Sequence, residues 1–267
     1  MINIELNGKN IQTEHKSAFA LRDSLNKNAI IILNGFILEK DLQINSGDSL
    51  VIIEKGKMPS SDELEATMVS RHTPKVHQKV KNSKVAIAGL GGLGSNIAVM
   101  LARIGVGELL LIDFDIVEPS NLNRQSYYIK HLGMNKTDAL KEQLKEINPF
   151  IKIITKNIKI DESNLKELFA SYDIVCEAFD KADQKAMLIN GILQNFPDKK
   201  IVSGSGMAGY DSSNKIVTKK ALKNLFICGD LEAEARVGMG LMAPRVTICA
   251  AHQANMILRL ILDIYDV

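Results

Sequence analysis

The feature that most restricts this chain is one glycine-rich turn, Gly89-Leu90-Gly91-Gly92-Leu93-Gly94-Ser95. A short apolar run at 85–88 precedes it, and apolar residues at helical spacing over 95–104 follow it. Glycines permit a tight turn and close approach of a phosphate. The N-terminus of the next helix adds free N–H groups and a partial positive charge. The pattern then alternates, with strands at 109–112, 151–155 and 174–178 and helices at 137–147, 164–169, 182–195 and 244–265. Continuous apolar strands alternating with helices predict an α/β domain over 84–267, a parallel sheet covered on both faces. Asp113 ends the second strand, where a carboxylate accepts hydrogen bonds from ribose hydroxyls. To this point a nicotinamide dehydrogenase and an ATP-binding enzyme fit equally well.

The next stretch separates them. Asp113-Phe114-Asp115 leads into Glu118-Pro119-Ser120-Asn121-Leu122-Asn123-Arg124-Gln125, and Lys136 follows. Arginine offers a rigid fork and lysine a mobile point charge. Together they suit a triphosphate, whose charge exceeds what a glycine loop offsets alone. Asp180 lies just past the strand at 174–178, on the carboxyl edge where open α/β sheets take their ligands. A carboxylate there can hold Mg²⁺ across phosphates and can also cap the helix that starts at 182. A dehydrogenase leaves Arg124, Lys136 and Asp180 without roles.

Residues 1–57 have a different rhythm. Ile2, Ile4 and Leu6 alternate with polar residues, Asn7-Gly8 supplies a hairpin turn, and a second strand returns at 10–13. A helix is expected at 17–28, with Ala18, Leu21 and Leu25 on one face. A strand at 30–33 closes on Asn34-Gly35, and a last strand runs over 49–54. That order is the order of a small β-grasp domain. Residues 58–83 read as a connector, with linker-like Pro59-Ser60-Ser61, a helix beginning at 62–68, and Lys75, Lys79, Lys81 and Lys84 on a solvated face.

Composition excludes several classes. The 33 Lys and Arg against 31 Asp and Glu leave a formal net charge of +2, which gives no case for bulk binding to nucleic acid or membrane. No stretch approaches the roughly 18 apolar residues of a membrane span, and the start shows no signal-peptide pattern. The 3 cysteines, Cys176, Cys228 and Cys249, form no CxxC pair, so neither a zinc ribbon nor a disulfide framework is expected. The chain reads as cytoplasmic, with reduced thiols.

Residues 89–95, 113–125, Lys136 and Asp180 resemble the ubiquitin-activating-enzyme-like adenylyltransferases, the ThiF, MoeB and HesA family. Arg71-His72, the glycine-rich 204–210 and the stretch 238–246 are similar to the short, zinc-free branch of ThiF. Residues 1–57 are similar to its sulfur carrier, ThiS. The resemblance implies a Rossmann-like adenylation domain behind a ubiquitin-like β-grasp domain. It implies ATP-dependent adenylation of the C-terminal glycine carboxylate of a ThiS-like carrier in thiamine thiazole biosynthesis, with release of pyrophosphate. By the same resemblance Gly89, Gly91, Gly92, Gly94 and Asp115 line the nucleotide and Asp113 holds the ribose. Asn121, Arg124 and Lys136 contact phosphates and Asp180 binds Mg²⁺. Arg71 reaches phosphates across a homodimer interface, so Arg124, Lys136 and Arg71 form the implied catalytic set. A cysteine desulfurase or a thiazole synthase is a further implied partner.

Two departures shape the expectation. No CxxC pairs are present to hold the zinc found in many relatives, and residues 230–242 contain no cysteine to attack an acyl-adenylate. Adenylation without zinc and without a thioester to this protein is therefore expected. A working carrier also ends in a free Gly-Gly carboxylate, whereas Glu54-Lys55-Gly56-Lys57 continues through a peptide bond. The fused domain reads as a non-substrate copy. Two alternatives stay open: a same-fold enzyme that activates another carboxylate or a modified tRNA base, in the manner of a t6A dehydratase, and a non-catalytic nucleotide-binding protein.

Overall fold

The computed structural model describes residues 1–56 and 60–267. Residues 57–59, which hold the expected domain boundary and the start of the expected linker, lie outside the described residues. Met1–Gln78 and Lys79–Val267 form two compact units.

The first unit contains β1 (Ile2–Leu6), β2 (Lys9–Thr13), α1 (Ala18–Asn26), β3 (Ile30–Leu33), β4 (Phe36–Ile37), β5 (Ser49–Ile53) and α2 (Ser61–His72). Its sheet runs in the order β2-β1-β5-β3-β4, with β1 and β5 parallel and the other pairs antiparallel. Asn7 and Gly8 take positive φ at the first hairpin and Asn34 and Gly35 at the second, which are the residue types such turns demand. The second hairpin adds β4, a strand of 2 residues too short to show in the pattern. Ile31, Leu33, Leu50 and Ile52 pack with Ala18 and Leu21 of α1. Ile32 and Ile53 alternate with that set and are also buried, so they face the other side of the sheet. There α2 packs against β3, β4 and β5. Thus α2, expected as part of a connector, completes the first unit.

The Ser60 hydroxyl accepts from the Glu63 amide at 3.3 Å, and the Glu63 carboxylate accepts from the Ser60 amide at 2.7 Å, a complete capping box for α2. Ser60→Ala is expected to cost about 1 kcal/mol, read as a shift of the unfolding midpoint; no shift would mean that α2 needs no cap.

A helix α3 (Pro74–Lys81) leads into the second unit. There follow β6 (Lys84–Ala88), α4 (Gly92–Arg103), β7 (Glu108–Ile112), α5 (Lys136–Ile147), β8 (Lys152–Lys156), α6 (Leu165–Phe169), β9 (Ile174–Glu177), α7 (Ala182–Asn195), β10 (Lys200–Gly204), β11 (Val217–Leu222), β12 (Leu225–Gly229) and α8 (Ala243–Ile261). The 7-stranded sheet has the order β11-β12-β10-β9-β6-β7-β8. All its pairs are parallel, as expected for the alternating strands, except β11–β12, an antiparallel addition that the pattern did not show. A hairpin makes that reversal, and β11 is a mostly exposed edge carrying Lys219 and Lys220, charges that discourage further strand pairing. Alternate residues of the strands feed two layers. Ala86, Ala88, Leu110, Ile112, Val175 and Ile201 meet α6 and α7 around Phe169. On the other face α8 packs against β9, β10, β12 and α4.

Two helix ends differ from expectation. Helix α4 starts at Gly92 rather than Ser95, so the glycine turn itself is its first turn. Helix α8 stops at Ile261 rather than running to 265, because Asp263 takes a left-handed conformation (φ 63°) and the Leu262 and Ile264 amides turn back to the Arg259 carbonyl.

Candidate functional site

Strand order locates the site. From β6 the chain steps to β7 and β8 on one side, then returns to place β9 and β10 on the other. The carboxyl ends of β6 and β9 therefore flank the switch point of the sheet, where open α/β folds form a ligand crevice. Gly89 follows β6 there, and Asp180 lies beyond the end of β9.

The glycine turn is set by close contacts. Gly89 has φ of 89°, and a Cβ on it would meet the Ala178 carbonyl oxygen at 2.9 Å. A Cβ on Gly94 would overlap the carbonyl oxygen of Gly89, and one on Gly92 would meet Val246 at 2.9 Å and Arg124 at 3.4 Å. Gly91 caps α4 with no side-chain hydrogen bond, so amides of the first turn stay open to an anion. Ser95 is buried. Its hydroxyl donates to the Gly91 carbonyl at 2.7 Å and accepts from the Ser126 amide at 3.0 Å, tying the turn to the 118–126 loop.

Asp113 is 9 % exposed, and its carboxylate accepts the Leu90 amide at 2.6 Å and the Asp115 amide at 2.8 Å. Burial pushes its pKa up, against the pull of Lys136 and of those two amides. The Tyr127 hydroxyl donates to the Leu90 carbonyl at 2.8 Å. Burial, and then the charges of Asp113 and Asp115, push that phenol well up, so it stays a donor. Lys136 is buried at the start of α5 and pairs with Asp115 at 2.8 Å. Arg124 is half-buried, and its guanidinium donates to the Ser120 carbonyl at 3.1 Å and to Asn123 Oδ1 at 2.8 Å.

Asn121 is turned inward. Its side-chain oxygen accepts the Glu118 amide at 3.1 Å, so it shapes the loop. Gln125, left without a role by sequence, is buried near Gly91, with its Oε1 lacking any partner. Its amide nitrogen is the atom nearer the turn, 4.0 Å from where a Cβ on Gly91 would stand. Asp180 is exposed, and no described residue bonds its carboxylate. Among the described residues no group of three or more His, Cys, Asp or Glu could hold a metal. A lone free carboxylate at the carboxyl edge of the sheet is of a type that Mg²⁺ takes, since that ion keeps several waters and commonly binds through one or two carboxylates. Arg71 is exposed in the last turn of α2 and is described with the first unit.

Sequence reading also missed a polar network behind the crevice. Arg245 of α8, buried, and Asp230, half-buried with its side chain turned in, form an ion pair, and Arg245 also donates to the Ala208 carbonyl at 2.9 Å. They line a cavity of about 530 Å³ with Tyr210, Lys215, Glu232 and Arg236. The Asn123 side chain donates to the Leu241 carbonyl at 2.9 Å, joining the 230–242 segment to the Arg124 loop. The three cysteines are buried. Burial pushes Cys228 up to about 11 and Cys249 up to about 12, so neither is a ready thiolate. No helix among the described residues is long and apolar enough to cross a membrane.

Comparison with known proteins places this geometry. The molybdopterin-synthase adenylyltransferase of Haemophilus influenzae is 44 % identical over 112 residues, 42 % of this chain and 46 % of that protein. The adenylyltransferase and sulfurtransferase MOCS3 of Caenorhabditis briggsae is 37 % identical over 133 residues, 49 % of this chain and 32 % of that protein. The chain thus spans less than half the length of these curated relatives. Among solved structures, the E. coli tRNA N6-threonylcarbamoyladenosine dehydratase TcdA in complex with ATP superposes with a TM-score of 0.68 at 22 % identity, over 78 % of this chain and 98 % of that one. That likeness is one of fold. A ThiS-like ubiquitin pattern matches residues 2–56, and the pattern of the ThiF family matches residues 65–267, a span that holds the glycine turn, the Arg124 loop, Lys136 and Asp180. The chain belongs to the ThiF family.

Proposed function

We propose that this protein is an adenylyltransferase that activates the C-terminal glycine carboxylate of a ubiquitin-like sulfur carrier with ATP. The observation that carries the reading is the convergence, at one edge of the sheet, of an uncapped helix N-terminus with Arg124, Lys136 and a free Asp180. The curated relatives' names support the reaction type. The ThiS-like match in the same chain supports a carrier of that kind, and thus the thiazole branch of sulfur transfer.

In this reading the α4 amides and the buried Gln125 receive the nucleotide, and Asp113 takes the ribose with the lone pairs left by the Leu90 and Asp115 amides. The carrier carboxylate, already ionised at neutral pH, attacks the α-phosphate. The new bond is the acyl–phosphate bond, and pyrophosphate leaves with the electrons of the broken one. Arg124 and Lys136 offset the charge that builds on the phosphates. Mg²⁺ bound at Asp180 would neutralise phosphate charge and help orient the leaving group. The cavity beside Arg245 follows the carboxyl ends of β10 and β12, on the same edge, and suits the approach of the acyl partner. Cys228 is too buried to form a thioester, so sulfur would be delivered to the adenylate from a separate donor. Arg71 would act from a second copy of the chain.

The test is ATP–pyrophosphate exchange with a separate carrier ending in Gly-Gly. Exchange that requires the free terminal glycine is expected. Nucleotide binding without exchange would favour another carboxylate or a tRNA base, and failure to bind ATP would leave a protein with no nucleotide chemistry. Exchange without any added carrier would overturn the reading of residues 1–56 as a non-substrate copy.

A further inference from the structure

We propose that Glu177, Lys185 and Ser203 form a positioning unit that sets the place of Asp180. The proposal rests on the reading of Asp180 as the phosphate-side metal ligand. Glu177 ends the otherwise apolar strand β9 and is fully buried. A carboxylate stays charged there only if partners replace its water. Lys185 of α7 donates to its two oxygens at 3.1 and 3.0 Å, and the Ser203 hydroxyl of β10 donates at 2.5 Å. The fourth donor is the Phe179 amide at 2.6 Å, from the residue just before Asp180. Lys185 places its third N–H on the Gly204 carbonyl at 2.8 Å, so no donor is left for a phosphate. It is therefore a positioning residue and not a catalytic one.

The turn is held from the other side as well. The Ala178 amide donates to the Ala88 carbonyl at 2.9 Å, and Ala178 and Phe179 lie against Gly89 of the glycine turn. The Asp180 carboxylate has no bond among the described residues, so the backbone of 178–181 sets the point from which it reaches. That backbone is pinned to the buried charge pair.

The experiment uses the full chain carrying Glu177→Gln with Lys185→Met, which removes both charges together and leaves no unpaired buried ion. Amide hydrogen exchange is expected to quicken at Ala178 and Phe179 and to stay unchanged at Gly89 and Leu90, whose amides are held by the Ile112 carbonyl and the Asp113 carboxylate. The Mg²⁺ concentration for half-maximal binding of a fluorescent ATP analogue is expected to rise about 10- to 100-fold, with Mg²⁺-free binding unchanged. In carrier-dependent exchange kcat should fall while KM for ATP holds. Asp180→Asn should cost much less in the double variant than in the wild-type chain, because both act through one carboxylate. Lys185→Arg alone, which keeps a charge beside Glu177, should retain most of the wild-type behaviour. Unchanged amide exchange at Ala178 and Phe179, unchanged Mg²⁺ dependence, or full additivity with Asp180→Asn would overturn the proposal. If the wild-type chain binds nucleotide but supports no exchange, the adenylyltransferase reading fails, and the amide and Mg²⁺ measurements still decide the positioning role.

Discussion

Arg124→Ala is expected to lower carrier-dependent ATP–pyrophosphate exchange by about 100-fold while the protein stays folded. The guanidinium has five N–H donors, and its bonds to Ser120 and Asn123 leave others for phosphate oxygens. Its methylene stem lies against Gly92, in the first turn of α4. Alanine would lose the two side-chain bonds within the loop but not its backbone bonds. The Arg124 amide donates to the Asn121 carbonyl at 3.2 Å and its carbonyl accepts from Asn96 at 3.0 Å, and alanine keeps both bonds. Exchange rates and a urea midpoint measured on the same preparation check this. A near-normal rate would remove Arg124 from the phosphate site. A collapsed midpoint would make its role structural.

Asp230→Ala is expected to cost roughly 3–5 kcal/mol of stability, the usual effect of leaving one partner of a buried pair alone. The two side chains are 4 % and 8 % exposed, and Arg245 Nε already lacks a partner. Without Asp230 the guanidinium would retain only the Ala208 carbonyl. Burial alone would push the Asp230 pKa up. The Ala233 and Glu232 amides and the Arg245 charge outweigh it and hold the carboxyl below its ordinary value. A depressed carboxylate stabilises the folded state at pH values above its unfolded pKa of about 4, and that contribution fades as pH falls through the lower folded value. The stability gap between wild type and variant should therefore be flat near neutrality and shrink in acid. A gap under about 1 kcal/mol at pH 7, or one unchanged at pH 2, would show that the pair does not anchor the 230–242 segment.

Much of the architecture was legible because local rules and the tertiary structure agree. Strand–glycine–helix spacing, unbroken apolar strands and Asn-Gly turns all carry short-range physics: positive φ at Asn7, Gly8 and Gly89, and burial on both faces of β6 and β7. The extra 3 residues at the start of α4 were hidden because glycine is a poor helix former in isolation. Here the approach of Val246 and Arg124 to Gly92, and of the Gly89 carbonyl to Gly94, leaves no room for a side chain at those two positions. Strand β4 was too short to carry a period, and the antiparallel β11–β12 hairpin lies in a stretch where Lys219, Lys220 and Lys223 mask the strand pattern.

The candidate site divides along the same line. Sequence alone picked out the residues proposed for the nucleotide: the glycine turn, Arg124 and Lys136 for phosphates, Asp113 for the ribose and Asp180 for Mg²⁺. Only the tertiary structure decided what each side chain is doing. It turned Asn121 inward to hold its own loop, paired Lys136 with Asp115, and left Gln125 with an unmet acceptor. It also joined Glu177 to Lys185 and Ser203, and Asp230 to Arg245. Those pairs come from different strands and helices, and a buried charge recruits whatever donor packing brings within 3 Å or so, a choice that no local spacing encodes.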